Sequence, residues 1–129
     1  MAGRFAELWA EPTAAAPPIK DLLFVKIGKR IVPVWTADIV WIAAAGNYVR
    51  LHTRTGTHLV RATLISLLEW LDAQRFVQIH KSVIVNLSAV VELQPWFSGE
   101  MRVVLEDGTM LKLSRTYRQL LETRIRFLA

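Results

Sequence analysis

Three consecutive polar residues, His80, Lys81 and Ser82, interrupt a part of the sequence that strongly favours β-structure. The flanking runs, residues 76–79 and 83–85, consist mainly of Val, Ile and Phe, which favour a pleated, half-buried backbone. Imidazole, ammonium and hydroxyl groups do not fill a core, but they donate hydrogen bonds well. The pattern predicts a polar turn on a stiff β support, a common construction for a binding site. An ordinary turn between two strands would explain the same residues.

Catalysis and metal binding have little support in the sequence. His52, His58 and His80 are not spaced as the His pairs that bind zinc, and cysteine is absent. His80 and Ser82 lie two residues apart, but no Gly-x-Ser-x-Gly sequence surrounds them. Neither a Gly-x-Gly-x-x-Gly motif nor a P-loop is present. We therefore expect no catalytic residue, no metal site and no cofactor, and we predict that the protein is not an enzyme.

Recognition of nucleic acid fits the polar residues better. An Asn amide pairs with adenine, and Lys or Arg contacts guanine or phosphate, which makes Asn47, Lys81 and Arg115 candidates for base contacts. All three stand in predicted turns or just after a predicted strand. Residues around them are candidates for contacts with the DNA backbone, namely His80, Ser82, Ser114, Tyr117 and Arg118. Each of these residues alone is also ordinary as a turn residue or a surface cation, so the prediction depends on all of them together.

The charge distribution points in the same direction. The chain of 129 residues has a net charge of +5, and residues 23–129 alone carry 14 bases against 8 acids, a net +6. A basic folded body attracts phosphate-rich partners. No signal peptide is evident, and the longest apolar run, residues 39–45, is far shorter than the ~20 residues of a membrane helix. With no cysteine for disulfides, we expect a cytoplasmic location and no membrane contact.

Hydrophobic periodicity predicts a mainly β domain after an N-terminal connection. Residues 1–21, with a possible short helix at 1–10 followed by an Ala/Pro-rich stretch, are interpreted as a linker or tail, and residues 22–129 as one domain. Short strands are predicted at 22–27, 31–34, 38–44, 48–54, 57–61, 76–79, 83–85, 89–94, 101–106 and 110–113. This spacing indicates an elongated antiparallel β-sandwich of about ten strands in small sheets.

Two helices complete the prediction. Leu64, Leu67, Leu68 and Leu71 recur at helical spacing after Thr63, which is placed to cap the helix. This short central helix is expected to bury its leucines. A second helix is predicted at residues 117–127, where Leu120, Leu121, Ile125 and Leu128 follow the same period, so the C-terminus is expected to be helical.

Five motifs, in order, resemble those of the LytTR family of bacterial DNA-binding domains. His80-Lys81-Ser82-Val83-Ile84-Val85-Asn86 resembles the family's His-Arg-Ser-Tyr-Ile-Val-Asn sequence, and Leu113-Ser114-Arg115-Thr116-Tyr117 resembles its Val-Ser-Arg-Arg-Tyr sequence. The other three are Asp38-Ile39-Val40-Trp41-Ile42 with Gly46-Asn47-Tyr48-Val49, Arg61-Ala62-Thr63-Leu64, and Asp107-Gly108. The resemblance covers about residues 22–127.

The resemblance implies a mode of binding. Members of this family insert loops, rather than a recognition helix, into successive major grooves of double-stranded DNA. By position, Asn47, Lys81 and Arg115 would contact the bases. Members are usually the output domains of response regulators in two-component systems, downstream of a receiver or sensory domain. They bind direct repeats in promoters, often as dimers, and so regulate transcription.

The chain departs from the family motifs at three positions. Lys81 replaces the signature Arg, Val83 the signature Tyr, and Thr116 the second Arg of the last motif, where Arg118 is close enough to supply a charge. Because Lys lacks the planar fork of Arg, the target sequence does not carry over from relatives. Two alternatives remain: binding of single strands through exposed aromatic rings (Trp35, Trp41, Trp96 or Tyr48), or binding of a protein through residues 95–97.

Overall fold

The computed structural model describes residues 16–128. Residues 1–15 and Ala129 lie outside the described part, and with them the predicted N-terminal helix and most of the predicted linker. The described strands are β1 (Leu22–Ile27), β2 (Arg30–Trp35), β3 (Ile39–Ala45), β4 (Tyr48–Thr53), β5 (Thr57–Val60), β6 (Phe76–His80), β7 (Val83–Asn86), β8 (Val90–Pro95), β9 (Met101–Leu105) and β10 (Met110–Leu113). The α-helices of the described residues are α1 (Leu64–Trp70) and α2 (Arg115–Glu122). No helix within residues 16–128 is long and apolar enough to cross a membrane.

A five-stranded sheet forms the middle layer of the molecule. Its order is β5-β4-β3-β7-β6, so β3 lies at the centre and pairs antiparallel with β4 on one side and β7 on the other. The β1-β2 hairpin and the β8-β9-β10 meander form two smaller antiparallel sheets. The predicted architecture, mainly β with small antiparallel sheets, one short central helix and a C-terminal helix, is confirmed.

The first core lies between one face of the middle sheet and the β1-β2 hairpin with α1. Strands alternate their side chains between two faces, and the apolar residues of one face meet the apolar side of the hairpin and the leucines of α1. Thr63 caps α1 as predicted, because its side chain accepts a hydrogen bond from the Ser66 N–H at 3.1 Å. The first core contains Val25, Val34, Ile39, Ile42, Val49, Leu51, Leu64, Leu67, Leu71, Phe76 and Ile84.

The second core lies on the opposite face, under the meander and α2. Its buried residues are Val40, Val77, Ile79, Val85, Ala89, Met101, Val103, Leu105, Leu113 and Leu121. A bulge in β3 between Ile39 and Trp41 lets Val40 and Trp41 both face this core, while Ile39 and Ile42 face the first. β3 therefore scarcely alternates in sequence, because both of its faces are covered.

The C-terminal helix differs from its predicted bounds. It begins at Arg115, because the Ser114 side chain accepts a hydrogen bond from the Tyr117 N–H and caps it. It ends at Glu122, because the Thr123 hydroxyl and N–H both bond to the Leu120 carbonyl and close the last turn. The residues beyond follow the second core as irregular chain, with Ile125 and Phe127 packed against it and Leu128 exposed. The prediction of helix through residue 127 was therefore wrong.

The burial of α1 gives a direct test of the first core. Leu67 is buried, whereas Ile65 on the same helix is 73% exposed. We expect Leu67→Ala to lower the free energy of unfolding by about 2–5 kcal/mol, because it leaves a cavity in a close-packed core. Urea denaturation would measure this loss, with Ile65→Ala as the matched control at under ~1 kcal/mol. Equal losses in the two variants would contradict the packing of α1.

Candidate nucleic-acid interface

Two backbone hydrogen bonds bring three separate parts of the chain to one end of the molecule. The Ala44 N–H donates to the Ser82 carbonyl at 2.8 Å, which places the β3-β4 turn beside the β6-β7 turn. The Ser114 N–H donates to the Ile79 carbonyl at 3.1 Å, which places the start of α2 beside the end of β6. Asn47, Lys81 and Arg115 thus stand on neighbouring elements, and each is exposed. We call this region the basic end.

Asn47 occupies a two-residue turn between β3 and β4. Gly46 before it has φ of +65°, a left-handed conformation that a side chain would strain. The pairing of Ala45 with Tyr48 closes the turn directly behind these two residues. Among residues 16–128 the Asn47 side chain has no recorded hydrogen bond, so its amide is directed by a rigid turn and remains available to a partner.

The polar turn at residues 80–82 is organised by its own side chains. The Ser82 N–H donates to the His80 Nδ1 at 3.3 Å, and the Ser82 hydroxyl lies 2.9 Å from the same nitrogen. The Gln78 side-chain amide donates to the Lys81 carbonyl at 3.3 Å. These bonds fix the backbone of the turn, while the Lys81 ammonium makes no ion pair within the described part of the chain. The sequence predicted this turn correctly.

Arg115 differs from the prediction in its setting, because it is the first residue of α2 and does not lie in a loop. Its aliphatic stem lies against Gly99, where an added methyl group would be 3.1 Å from Cδ and 3.4 Å from Cγ. Gly99 therefore leaves room that a larger residue would take from Arg115. The helix cap and this contact hold the start of the side chain and leave its guanidinium exposed.

The predicted backbone-contacting residues divide into two groups. His80 and Ser82 form the bonded pair in the β6-β7 turn and are partly exposed. The other three hold α2 in place. Ser114 caps it, Tyr117 packs against the second core, and Arg118 is bonded to Glu122 at 2.9 Å and to the Gly99 carbonyl at 3.1 Å. The charge of Arg118 is therefore already balanced, and it does not simply replace the Arg missing at Thr116.

Ion pairs occur at both ends of the molecule, and near the basic end Lys112 bonds to Glu100 at 2.7 Å. At the end opposite the basic end, Arg54 bonds to Glu106 at 2.6 Å and lies 4.0 Å from Asp38, and Arg75 lies 3.9 Å from Asp72. The bond to Glu106 raises the pKa of Arg54 above its usual value. At the basic end, several cations make no ion pair with any residue in the range 16–128, namely Lys26, Arg61, Lys81 and Arg115. This surplus gives the basic end its positive charge.

Two further parts of the basic end were not predicted from the sequence. The tip of the β1-β2 hairpin joins it, because Gly28 and Lys26 line one surface depression together with Tyr48 and Arg61. Residues 96–100 join it through their contacts with Arg115 and Arg118. Both depend on contacts between distant segments, for which the local sequence carries no signal.

Of the aromatic rings predicted as stacking platforms, two are already occupied. Trp41 is half-buried and stacked on His52, with ring centroids 3.9 Å apart, and the Arg102 guanidinium covers Trp96 at 3.7 Å. Trp35 and Tyr48 are exposed. Phe97, in the segment predicted as an alternative protein-binding loop, is 73% exposed.

The fold and the basic end define a class of protein: a β-sheet domain with cationic turns and a capped helix start at one end, and with no helix-turn-helix among residues 16–128. The comparison with protein families identifies it further. The model of the LytTr DNA-binding domain matches residues 29–126, so the chain belongs to this family and is a DNA-binding domain. The resemblance seen in the motifs is thus confirmed.

Relatives and a solved structure agree with this assignment. The sensory transduction protein LytT of Bacillus subtilis is 32% identical over 95 residues, which are 74% of this chain and 39% of LytT. LytT of Bacillus anthracis is 31% identical over 121 residues, or 94% of this chain and 46% of that protein. A LytTr DNA-binding domain from Bacillus cereus has the same fold, with a TM-score of 0.76 at 17% identity, over 83% of this chain and 98% of that one. The chain spans less than half the length of these LytT proteins.

Asn86, the last residue of the family motif at residues 80–86, has a structural role. It is fully buried, its amide donates to the Ile39 carbonyl at 2.9 Å, and its carbonyl oxygen accepts from the Ser88 N–H at 3.0 Å and hydroxyl at 2.7 Å. We expect Asn86→Ala to cost about 1–3 kcal/mol of unfolding free energy or more, because it leaves buried polar groups without partners. Thermal denaturation would measure this, with the exposed Asn47→Ala as the control that leaves stability nearly unchanged. A stable Asn86→Ala protein would contradict the assignment.

His52 provides a test by pH. Burial lowers its pKa below the usual value of 6.5, the Arg50 guanidinium lowers it further, and Asp107 acts weakly in the opposite direction. The unfolded chain then binds more protons, so stability should decline as pH falls from about 6.5 to the folded pKa and then level off. NMR titration of the His52 ring in the folded protein and in urea would measure both values. A folded pKa above the unfolded one would overturn this expectation, and His52→Gln should lack this part of the pH dependence.

Proposed function

We propose that residues 22–129 bind double-stranded DNA in a sequence-specific manner through the basic end, with residues 1–21 as the connecting segment. Asn47, Lys81 and Arg115 read base edges from successive major grooves. The observation that carries this proposal is their placement on three neighbouring elements at one end, joined by the Ala44–Ser82 and Ser114–Ile79 hydrogen bonds. The rigid turns and the helix cap fix the direction of each residue before DNA is met, which lowers the cost of ordering them on binding.

The chemistry of the three side chains fits base recognition. The amide of Asn47 can pair with adenine, and the guanidinium of Arg115 with guanine. Lys81 carries a single rotatable ammonium, which reaches guanine acceptors or phosphate without the bidentate geometry of Arg. We therefore assign the Lys81 position a weaker preference for one base than the Arg of the family motif would give.

Contacts with phosphates would position the domain and supply most of the affinity. We assign them to His80, Ser82, Ser114, Tyr117 and Arg118. Among these, Arg118 carries a positive charge, but the Glu122 carboxylate at 2.9 Å partly balances it. The surplus cations around the hairpin tip, Lys26 and Arg61, lie where they can add to the same electrostatic attraction.

The biological setting follows from the relatives. We propose that the chain is the output part of a bacterial transcriptional regulator in a two-component or similar system, acting in the cytoplasm and without enzymatic activity. A receiver or sensory domain would be joined to it, as the greater length of the LytT proteins supports. We further propose that it occupies direct repeats in promoters as a homodimer.

Arg115 and Arg75 form a matched pair for testing the interface. Arg115→Ala should weaken binding to the preferred duplex by about 1–3 kcal/mol and relax the base preference at one position. Arg75→Ala removes the same charge from the opposite end and should change affinity by much less. The measurement is fluorescence anisotropy at stated salt, with the preferred duplex first selected from a random pool.

Three results would contradict parts of the proposal. Equal losses for Arg115→Ala and Arg75→Ala would show that the basic end is not the interface. Equal losses for Arg115→Ala on specific and random duplexes would make Arg115 a phosphate contact. Tighter binding of single strands than of duplex, or binding that ignores ionic strength, would favour the stacking or protein-binding alternatives.

A further inference from the structure

A cavity opens into the second core beneath the C-terminal residues. Its volume is about 360 Å³. Val77, Ile79 and Val85 of the middle sheet line it together with Val103 and Leu113 of the meander, and the irregular chain at residues 125–127 lies along its side. These five residues belong to the second core and expose almost none of their surface, so they form the floor of the cavity. Its sides are formed by half-buried apolar residues, namely Leu87, Val90, Leu93, Ile125 and Phe127.

The cavity is half open to solvent and forms a groove over the second core. The volume falls within the ~300–1,000 Å³ typical of small-molecule sites, which are mostly apolar with a few polar groups that fix orientation. Eleven of the twelve lining residues are apolar, so water would find few partners here and an apolar molecule would bury its surface favourably.

The one polar residue that lines the cavity is Arg126. Arg126 is exposed, so its guanidinium lies at the opening rather than in the depth of the cavity. It has no ion pair or side-chain hydrogen bond with any residue from 16 to 128. A guanidinium at the rim of an apolar cavity complements an anion whose body is apolar, since it forms two parallel hydrogen bonds to a carboxylate.

We propose that this cavity binds an amphiphilic carboxylate, with its hydrocarbon chain along the half-buried apolar residues that flank the second core and its carboxylate on Arg126. The class is that of medium-chain fatty acids. The site lies apart from the basic end, yet it shares elements with it: Ile79 directly precedes His80 on β6, and Leu121 belongs to the helix that begins at Arg115.

The test uses the whole chain with methyl-labelled Ile, Leu and Val, titrated with decanoate below the concentration at which it forms micelles. We expect saturable NMR shifts of the Ile79, Val103 and Leu121 methyl groups. Decanol, which has the same chain without charge, should bind roughly fivefold to tenfold more weakly, because it lacks the charge-assisted pair with Arg126. Arg126→Gln should weaken decanoate by a similar factor and leave decanol unchanged, whereas the control Arg30→Gln should affect neither.

A second variant keeps the test independent of Arg126. Leu93 lines the cavity and is only half-buried, so Leu93→Trp fills the space from its rim without disturbing the deepest residues. A folded Leu93→Trp protein, judged by its methyl spectrum, should lose decanoate binding. Shifts confined to Ile31, on the exposed outer face of the β1-β2 hairpin, would show non-specific association with that face and overturn the proposal. Equal affinity for decanoate and decanol, or no saturable shift at all, would overturn it as well.

Discussion

The pairing of β3 with β7 is the constraint on which the rest of the structure depends. The two strands are about forty residues apart in sequence, and their antiparallel register sets the β3-β4 and β6-β7 turns at the same end. The buried Asn86 amide reinforces this pairing by bonding to the Ile39 carbonyl. Because both strands carry buried apolar side chains on each face, both faces must be covered, which accounts for two cores and for the hairpin and meander that close them.

Much of this fold could be predicted from local sequence. Val- and Ile-rich runs, the glycines of the tight turns and the leucine spacing of α1 each specify an element within a few residues, so these elements were located closely. The end of α2 was placed wrongly, since Ile125 keeps a helical spacing from Leu121 although it packs against the second core as irregular chain. Hydrophobic periodicity indicates which residues are buried, but it does not determine the backbone conformation in which they are buried.

The candidate interface could also be predicted only in part from the sequence. The family motifs pointed to Asn47, Lys81 and Arg115, and the structure brings their elements together. It could not be predicted that Arg118 bonds to the Gly99 carbonyl, or that the hairpin tip borders the same end. These facts arise from contacts between segments distant in sequence. Asn86 is a further example, because a polar residue in a motif suggests a contact with a partner. The structure shows instead that it is fully buried and bonded within the protein.

The unpaired cations of the basic end have a consequence for how the domain meets its partner. Arg54 at the far end is balanced by Glu106, whereas Lys26, Arg61, Lys81 and Arg115 at the basic end make no ion pair within residues 16–128. An excess of positive charge at one end of a protein contributes an electric dipole moment. In the field of a polyanion such a dipole experiences a torque that turns the positive pole forward, so more collisions begin in a productive orientation. The ion pairs at the far end thus influence the rate at which the basic end associates with a polyanion.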